Sequence, residues 1–248
     1  MSNENIKVRV RNLVKKFGDL LVLDDISFDV KEGEFLCIVG PTGCGKTTFL
    51  NSLTKLYNIT SGEILINEEP VNLKKHNVAY IFQEYSTMHW LNVEQNVGFG
   101  LDIKRVPKQE RDERINEVLD IVGLTSFRKH YPHELSTSML QRVVIARAFV
   151  TQPELLLMDE PYGQLDTELR FKLEDELLAL WKRTKTTVVF ITHNIEEAVY
   201  LSGKILVLTN KPTKIKKALI NTLPRPRNIA YPEFVKLRNE VTELIKWW

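Results

Sequence analysis

At 248 residues, 43% hydrophobic and 27% charged, the chain has room for one large α/β domain or a core with an inserted lobe, and its composition is ordinary for a globular protein. A net charge of +2 is too small to mark a nucleic-acid binder, and no nucleic-acid partner is expected. The two cysteines, Cys37 and Cys44, fall in or beside one tight loop, which is no disulfide framework and fits a reducing compartment. Residues 1–7 are polar, without the apolar core of a signal peptide, and no run approaches ~18 uninterrupted apolar residues, so any membrane role is expected to come through a partner.

Ile6, Val8 and Val10 alternate with polar residues and predict a half-buried strand, and residues 20–30 read as a hairpin or meander arm. Phe35–Val39 is a short apolar run ending at Gly40, the pattern of a buried parallel strand. A Gly-rich turn follows, then a predicted helix over residues 46–56; residues 62–66 and 78–82 predict further strands. Residues 108–122 predict a charged helix with Ile115, Val118, Leu119 and Val122 on one face and Gly123 as its C-cap. A second helix over 136–150 is entered through Ser136. The remainder alternates: strand 155–158, amphipathic helix 169–182, strand 188–191, helix 195–201, strand 205–208. Beyond the break at Pro224 and Pro226, Phe234, Leu237, Val241, Leu244, Ile245 and Trp248 share one helical stripe begun at Pro232, the pattern of a packed terminal helix. Strands and helices alternate at both ends around a helical stretch, so the expected class is α/β: a parallel core with a helical lobe.

Two motifs carry chemistry. Gly40-Pro41-Thr42-Gly43-Cys44-Gly45-Lys46-Thr47, followed by Thr48, fits G-x-x-x-x-G-K-[ST] between a strand and a helix. Backbone N–H groups can wrap a triphosphate only where side chains do not intrude, hence the glycines, and the following helix aims its positive end at the phosphates. Lys46 is placed to reach the β and γ oxygens and Thr47 to ligate Mg²⁺. In the second motif the apolar strand 155–158 delivers Asp159 and Glu160 to a sheet's carboxyl edge, where open α/β sheets bind ligands. Asp159 is read as a Mg²⁺ holder and Glu160 as the general base that polarises an attacking water. His76, His89, His130 and His133 have no metal-ligand spacing.

Together with the pieces around them, these motifs resemble the ATPase subunits of ATP-binding cassette (ABC) transporters over nearly the whole chain. The resemblance implies a P-loop NTPase (RecA-like) core with an antiparallel β subdomain and an inserted α-helical subdomain. It implies a single domain, with the core at 1–84 and 151–220, the helical subdomain at 85–150 and a tail at 221–248. It implies that Gln83, in Ile81-Phe82-Gln83-Glu84, senses Mg²⁺ and the attacking water, and that His193, in Ile191-Thr192-His193-Asn194, reads the γ-phosphate. Tyr162-Gly163-Gln164-Leu165-Asp166 resembles the loop that touches the opposite subunit; Asp166 is also a natural helix N-cap. Phe17, in Lys15-Lys16-Phe17-Gly18, matches the aromatic that stacks on adenine, although a strand-end Phe also reads as core.

One departure stands out. Where the family's importers read Leu-Ser-Gly-Gly-Met-x-Gln-Arg, this chain reads Leu135-Ser136-Thr137-Ser138-Met139-Leu140-Gln141-Arg142. In the family this signature opens a helix and caps the γ-phosphate bound by the other subunit. Ser136 keeps the hydroxyl, but both glycines are gone. A need for φ > 0 at either position would cost ~1–2 kcal/mol, and a lost donor to transition-state charge ~10²–10³ in rate. Ser138 offers a replacement hydroxyl. The expectation is slowed turnover in a homodimer, or a heterodimer whose partner brings an intact signature.

Leu223-Pro224-Arg225-Pro226-Arg227 with Pro232-Glu233-Phe234 resembles the tail of importer ATPases for nitrate, aliphatic sulfonates and taurine, a branch that includes bicarbonate and thiamine-precursor pyrimidine systems. Residues 88–97 resemble their permease-docking segment, with His89 in place of a usual proline. The resemblance thus implies an ATP- and Mg²⁺-dependent motor on the cytoplasmic face of the cell membrane, working as a dimer with permease subunits and, indirectly, an external solute-binding protein. A catalytically weakened or regulatory subunit, and a soluble ABC ATPase of DNA repair or translation, are the alternatives. The latter usually carry coiled-coil inserts or two cassettes, and this chain has neither.

Overall fold

The computed structural model describes residues 5–163 and 165–245; residues 1–4, Gln164 and Trp248 of the terminal stripe lie outside them. Chain order runs β1 (Ile6–Phe17), β2 (Leu20–Lys31), β3 (Phe35–Val39), α1 (Lys46–Leu53), β4 (Ser61–Ile66), β5 (Glu69–Pro70), β6 (Val78–Ile81), α2 (Val93–Ile103), α3 (Lys108–Ile121) and α4 (Thr137–Phe149). It continues through β7 (Leu155–Asp159), α5 (Thr167–Thr184), β8 (Thr187–Thr192), α6 (Ile195–Leu201), β9 (Lys204–Leu208), β10 (Ile215–Ile220) and α7 (Pro232–Ile245). These elements gather into two compact units, one formed by the chain up to Asn77 together with Thr187 onward, the other by Val78–Thr186.

In the first unit, β2-β1-β4-β5 form an antiparallel sheet, and β10-β9-β3-β8 lie side by side in that order. Strand β3 is buried at all five positions because it has parallel neighbours on both edges, β8 and β9. A strand so enclosed has no face for polar residues, which is why it reads as a continuous apolar run. β10 closes the far edge antiparallel to β9. Helix α7 rests on α6 and β9 through Phe234 and Val241, both buried, while Leu237, Leu244 and Ile245 are only partly covered.

The second unit pairs β6 with β7 in parallel and carries α2 to α5. Ile115, Val118 and Leu119 bury the predicted face of α3, and Gly123, at φ 64, follows its C-cap Val122. Helix α2 was not signalled by pattern because Gly98 and Gly100 interrupt it. Both are packing sites: a Cβ on Gly98 would lie 2.6 Å from the Arg111 guanidinium, and one on Gly100 2.7 Å from Thr151. Asn92 and Gln95 start this helix with a reciprocal capping box.

Among the departures from expectation are the end of α1 and the edge strand β10. Helix α1 stops at Leu53 rather than residue 56, because the Thr54 hydroxyl donates back to Asn51 O (3.2 Å) and Lys55 turns left-handed at φ 55. The edge strand β10, with its interspersed lysines, gave no apolar signal. Among the described residues no helix is long and apolar enough to cross a membrane.

Candidate functional site

The phosphate-loop motif occupies the turn between β3 and α1. Gly43 (φ 76) and Gly45 (φ 115) both hold backbone that L side chains rarely adopt. Gly45 is excluded from substitution twice, since its Cβ would sit 2.9 Å from Val22 Cγ1. Cys44 N donates to Pro41 O (3.2 Å), tightening the turn, and Thr213 Oγ1 donates to Cys44 O from the segment between β9 and β10. Cys44 itself is buried, its thiol pushed up by desolvation, and its Sγ would lie 3.1 Å from a Cβ on Gly40. It packs the underside of the turn.

Lys46 opens α1, buried, with Nζ donating to Gly40 O (3.0 Å) and Pro41 O (3.2 Å). Those bonds hold the ammonium over the turn, and their acceptors are neutral carbonyls, which anionic phosphate oxygens can replace with stronger bonds. Thr42 and Thr47 are exposed and Pro41 and Thr48 partly so. The first N–H groups of α1 have no helical acceptors, which makes this end an anion site.

His193 belongs to the same unit. Val39 of β3 is in parallel register with Thr192 of β8, so Gly40 and His193 leave the strands one step beyond the same level. His193 is exposed there, and Asn194 behind it caps α6 by accepting from Glu196 N (2.9 Å). Phe17 ends β1, 43% exposed, with Tyr57 edge-on at 5.4 Å and Lys15 Nζ 4.3 Å from its ring centre. It is therefore a presented ring and not core, and it can offer a face to a purine. Tyr57 and Thr213 were missed from sequence, and Lys15 entered only as part of the string that carries Phe17. Tyr57 and Thr213 lie outside the motifs, and only the fold brings them there.

The second unit carries the carboxylates. Ile81 of β6 is in register with Met158 of β7, so Asp159 faces the level of Phe82, and Glu160 that of Gln83. Asp159 is buried, Gln83 exposed, and Glu160 half-buried at φ 45. A non-glycine residue in that conformation stores ~1–3 kcal/mol of strain, which persists where surroundings enforce it and gathers at active sites. Here the enforcing turn includes Gly163 N donating to Glu160 O (3.2 Å) and the buried Tyr162, whose hydroxyl donates to Leu173 O (3.3 Å). Asp166 caps α5, its Oδ1 accepting from Leu169 N (2.9 Å); Gln164 of this loop is outside the described residues.

Ser136 is the exposed N-cap of α4, its hydroxyl 3.1 Å from that of Ser138. Thr137 and Ser138 occupy the first turn of α4, and neither has positive φ. The backbone reason for glycine at these positions is thus absent. Two arginines tie α4 down: Arg142 grips Glu176 of α5 through two bonds (2.8 and 2.6 Å), and Arg147 donates to Ser86 O (2.8 Å) and Oγ (2.7 Å), three residues past Gln83. Residues 88–92 are clasped by the buried Asn96, which accepts from Met88 N (2.8 Å) and donates to Leu91 O (2.8 Å), leaving Trp90 74% exposed.

No group of three or more His, Cys, Asp or Glu among the described residues could hold a metal ion by itself. The hydroxyl of Thr47, the carboxylate of Asp159 and the amide of Gln83 are hard oxygen donors, the chemistry that suits Mg²⁺ arriving with a polyphosphate.

The model of a family described as "ABC transporter" matches residues 23–163. An uncharacterized ABC transporter ATP-binding protein of Methanocaldococcus jannaschii is 41% identical over 97% of this chain and 92% of its own length. An aliphatic sulfonates import ATP-binding protein of Bacillus cereus is 40% identical over 94% and 92% respectively. The dimeric structure of a bacterial ABC transporter cassette, MJ0796, is 29% identical, with a TM-score of 0.75 over 88% of this chain and all of that one; the same cassette matches equally well in a post-hydrolysis state bound to ADP and Pi.

Proposed function

The chain belongs to the ABC transporter family, and from that premise we propose that it is the motor of an importer that takes up a small organic anion of the sulfonate class. That it is an ABC ATP-binding subunit, with the α/β cassette fold and membership of a family of ATPases, is the established part. The finer reading is supported by one observation above the others: 40% identity, along nearly its full length, to a subunit named for sulfonate import. The Pro-Arg tail and the segment at 88–97 agree with that branch. The ATPase does not touch the transported solute, so the permease and an external binding protein select it.

The site chemistry follows from the residues. The turn at Gly40–Thr48 wraps the β and γ phosphates with backbone N–H groups while Lys46 neutralises their charge. Phe17 stacks on the base. Thr47 of the first unit and Asp159 and Gln83 of the second are the residues that would serve as Mg²⁺ ligands, and the ion when bound would offset phosphate charge. Glu160 takes a proton from the attacking water, and the strained turn around it fixes where its carboxylate points. His193 donates to the γ-phosphate. Phosphoryl transfer asks mainly for positioning and charge stabilisation, and these residue types supply both. The chain provides half of a complete site: Ser136 at the start of α4 and the loop ending at Asp166 face the nucleotide of a second subunit. ATP closes the pair, hydrolysis reopens it, and residues 85–150 pass the motion to the permease on the cytoplasmic face of the membrane.

Glu160→Gln tests the core of this reading. The variant should bind ATP with Mg²⁺ and elute from gel filtration as a dimer, because ATP that is not hydrolysed keeps the pair shut. Elution as monomer alone removes either the sandwich or the role of Glu160. Purification from detergent-solubilised native membranes should recover a permease and a sulfonate-class binding protein; recovery without any membrane protein would remove the importer.

A further inference from the structure

Helix α6 starts directly behind His193 and is seven residues long. Two turns do not hold themselves together in water, so the ends must be fastened by something else. The front is fastened locally: Asn194 caps Glu196 and Glu197, and Thr192 Oγ1 donates to the buried Glu197 carboxylate at 2.5 Å. The back is fastened from far along the chain. Arg227 Nη1 donates to Val199 O (2.8 Å), Tyr200 O (2.8 Å) and Ser202 O (2.7 Å); Arg225 donates to Leu201 O; Asn221 Nδ2 donates to Val199 O (2.8 Å). Four successive carbonyls at the end of α6 are thus taken by the tail.

Arg227 is buried, and its Nε and Nη2 turn back to Leu223 O (3.3 and 3.2 Å), so the Pro-Arg segment wraps its own cation. Desolvation, and then the neighbouring Arg225, push Arg227 down to about 10. A cation is kept in this costly place by the negative end of a helix and its unpaired carbonyls. All of these groups lie in the first unit, and the family model's match ends before any of them.

We propose that the segment from Asn221 to Arg227 is a positioning clamp for His193, in which Arg227 grips the carbonyl end of α6 and thereby sets where the other end delivers the imidazole. The clamp rests on the reading of His193 as the γ-phosphate contact. It turns a motif with no evident link to nucleotide chemistry into a positioning device two helical turns from it. Groups that touch the γ-phosphate need tight placement, and a shift of ~1 Å in such a group can cost up to ~10²-fold in rate.

The test uses the full chain with four variants: His193→Ala, Arg227→Gln, the two combined, and Asn221→Ala. ATP turnover is measured against ATP concentration, and hydrogen exchange is followed over α6 and α1. Arg227→Gln should lower kcat about tenfold while KM for ATP moves less than about twofold, because the phosphate turn is untouched. Exchange should rise in α6 and stay fixed in α1. The double variant should turn over no more slowly than His193→Ala alone, since Arg227 acts only through that histidine. If Arg227→Gln does not fold, Asn221→Ala, which removes one grip on Val199 O, should show the same pattern in weaker form. Loosened α6 with kcat unchanged, or losses that multiply in the double variant, overturn the clamp while leaving His193 in place. Wild-type turnover by His193→Ala overturns the reading of His193, and the clamp with it.

Discussion

Two stretches of this chain are read as phosphate binders, and they are built on opposite plans. The turn at Gly40–Thr48 is held by backbone conformation: Gly43 and Gly45 have φ values that other residues rarely adopt, and a Cβ on Gly45 would sit 2.9 Å from Val22 Cγ1. The stretch Leu135–Met139 is held by side chains. Its backbone enters a helix with ordinary φ, Ser136 caps it, and Arg142 and Arg147 pin the helix behind it. A motif glycine is therefore demanded by backbone conformation in one place and not in the other, though both stretches are read as phosphate binders. The difference is the sign of φ, which the motif string does not contain.

The sharpest way to break this contrast is Gly45→Ala. The positive φ costs ~1–2 kcal/mol, and the Cβ must also displace Val22, so folding and the phosphate cradle suffer together. A loss of several degrees in Tm and of ATP binding by ~10²-fold or more is expected, measured by thermal melting and nucleotide titration. Retained ATP affinity would mean that conformation does not hold this turn.

The matching cut in the side-chain-held region is Arg142→Gln. The pair with Glu176 is largely buried on both sides, and truncating one partner leaves a carboxylate in poor surroundings, a loss of ~2 kcal/mol. Denaturant midpoints should fall accordingly. ATP affinity should stay near wild type, because the phosphate turn is untouched, while kcat falls as α4 loses its tie to α5. Loss of affinity equal to that of Gly45→Ala would erase the distinction between the two plans.

How much of this was legible beforehand follows the same division. Strand β3, the turn after it and the Asp159-Glu160 edge were readable because strand enclosure and phosphate geometry each admit few residue types. Helix α2 was not, since Gly98 and Gly100 serve close packing against Arg111 and Thr151, and a packing glycine looks like a helix breaker until its neighbours are known. The positive φ of Glu160 was hidden, as were the Tyr57 and Lys15 contacts of Phe17 and the grip of Arg227 on α6. The Tyr57 contact and the Arg227 grip join residues distant in sequence, where no local pattern can carry the information; the Glu160 turn and the Lys15 contact are local but depend on conformation that residue type does not reveal.

Acid should distinguish the regions more gently. In α2, a bond from Lys129 and then Arg128 hold the Glu94 carboxylate below its ordinary 4.5. A carboxylate lowered in the folded state contributes stability that is complete above the unfolded value and is lost as pH falls through the folded one. Wild type should therefore exceed Glu94→Gln by up to ~1 kcal/mol near pH ~6, and the two should converge as pH drops below about 4.5. Hydrogen exchange should place the difference in α2, with α1 unaffected. A gap that persists unchanged in acid would assign the stabilisation to packing.

The smallest effect is expected where the sequence departs most from its family. Restoring glycine at Thr137 and Ser138 removes two side chains from the first turn of α4 and nothing else, because φ is already ordinary there. The N–H groups of that turn have no helical acceptors in either version, so the donors offered to a facing phosphate are the same. Glycine adds unfolded-state freedom worth ~0.5–1 kcal/mol per position in a helix interior and less at its start, so Tm should fall slightly. Loss of the Ser138 hydroxyl also removes the one that lies 3.1 Å from Ser136 Oγ. Turnover should change by less than about threefold, since no strained conformation is relieved and no backbone donor is gained. The expectation of a slowed homodimer rested on backbone strain or on lost donors, and the helix removes the first. A gain of tenfold or more in the double glycine variant would show that side-chain bulk at the facing phosphate is what slows this chain, and would make a partner with an intact signature the better assembly.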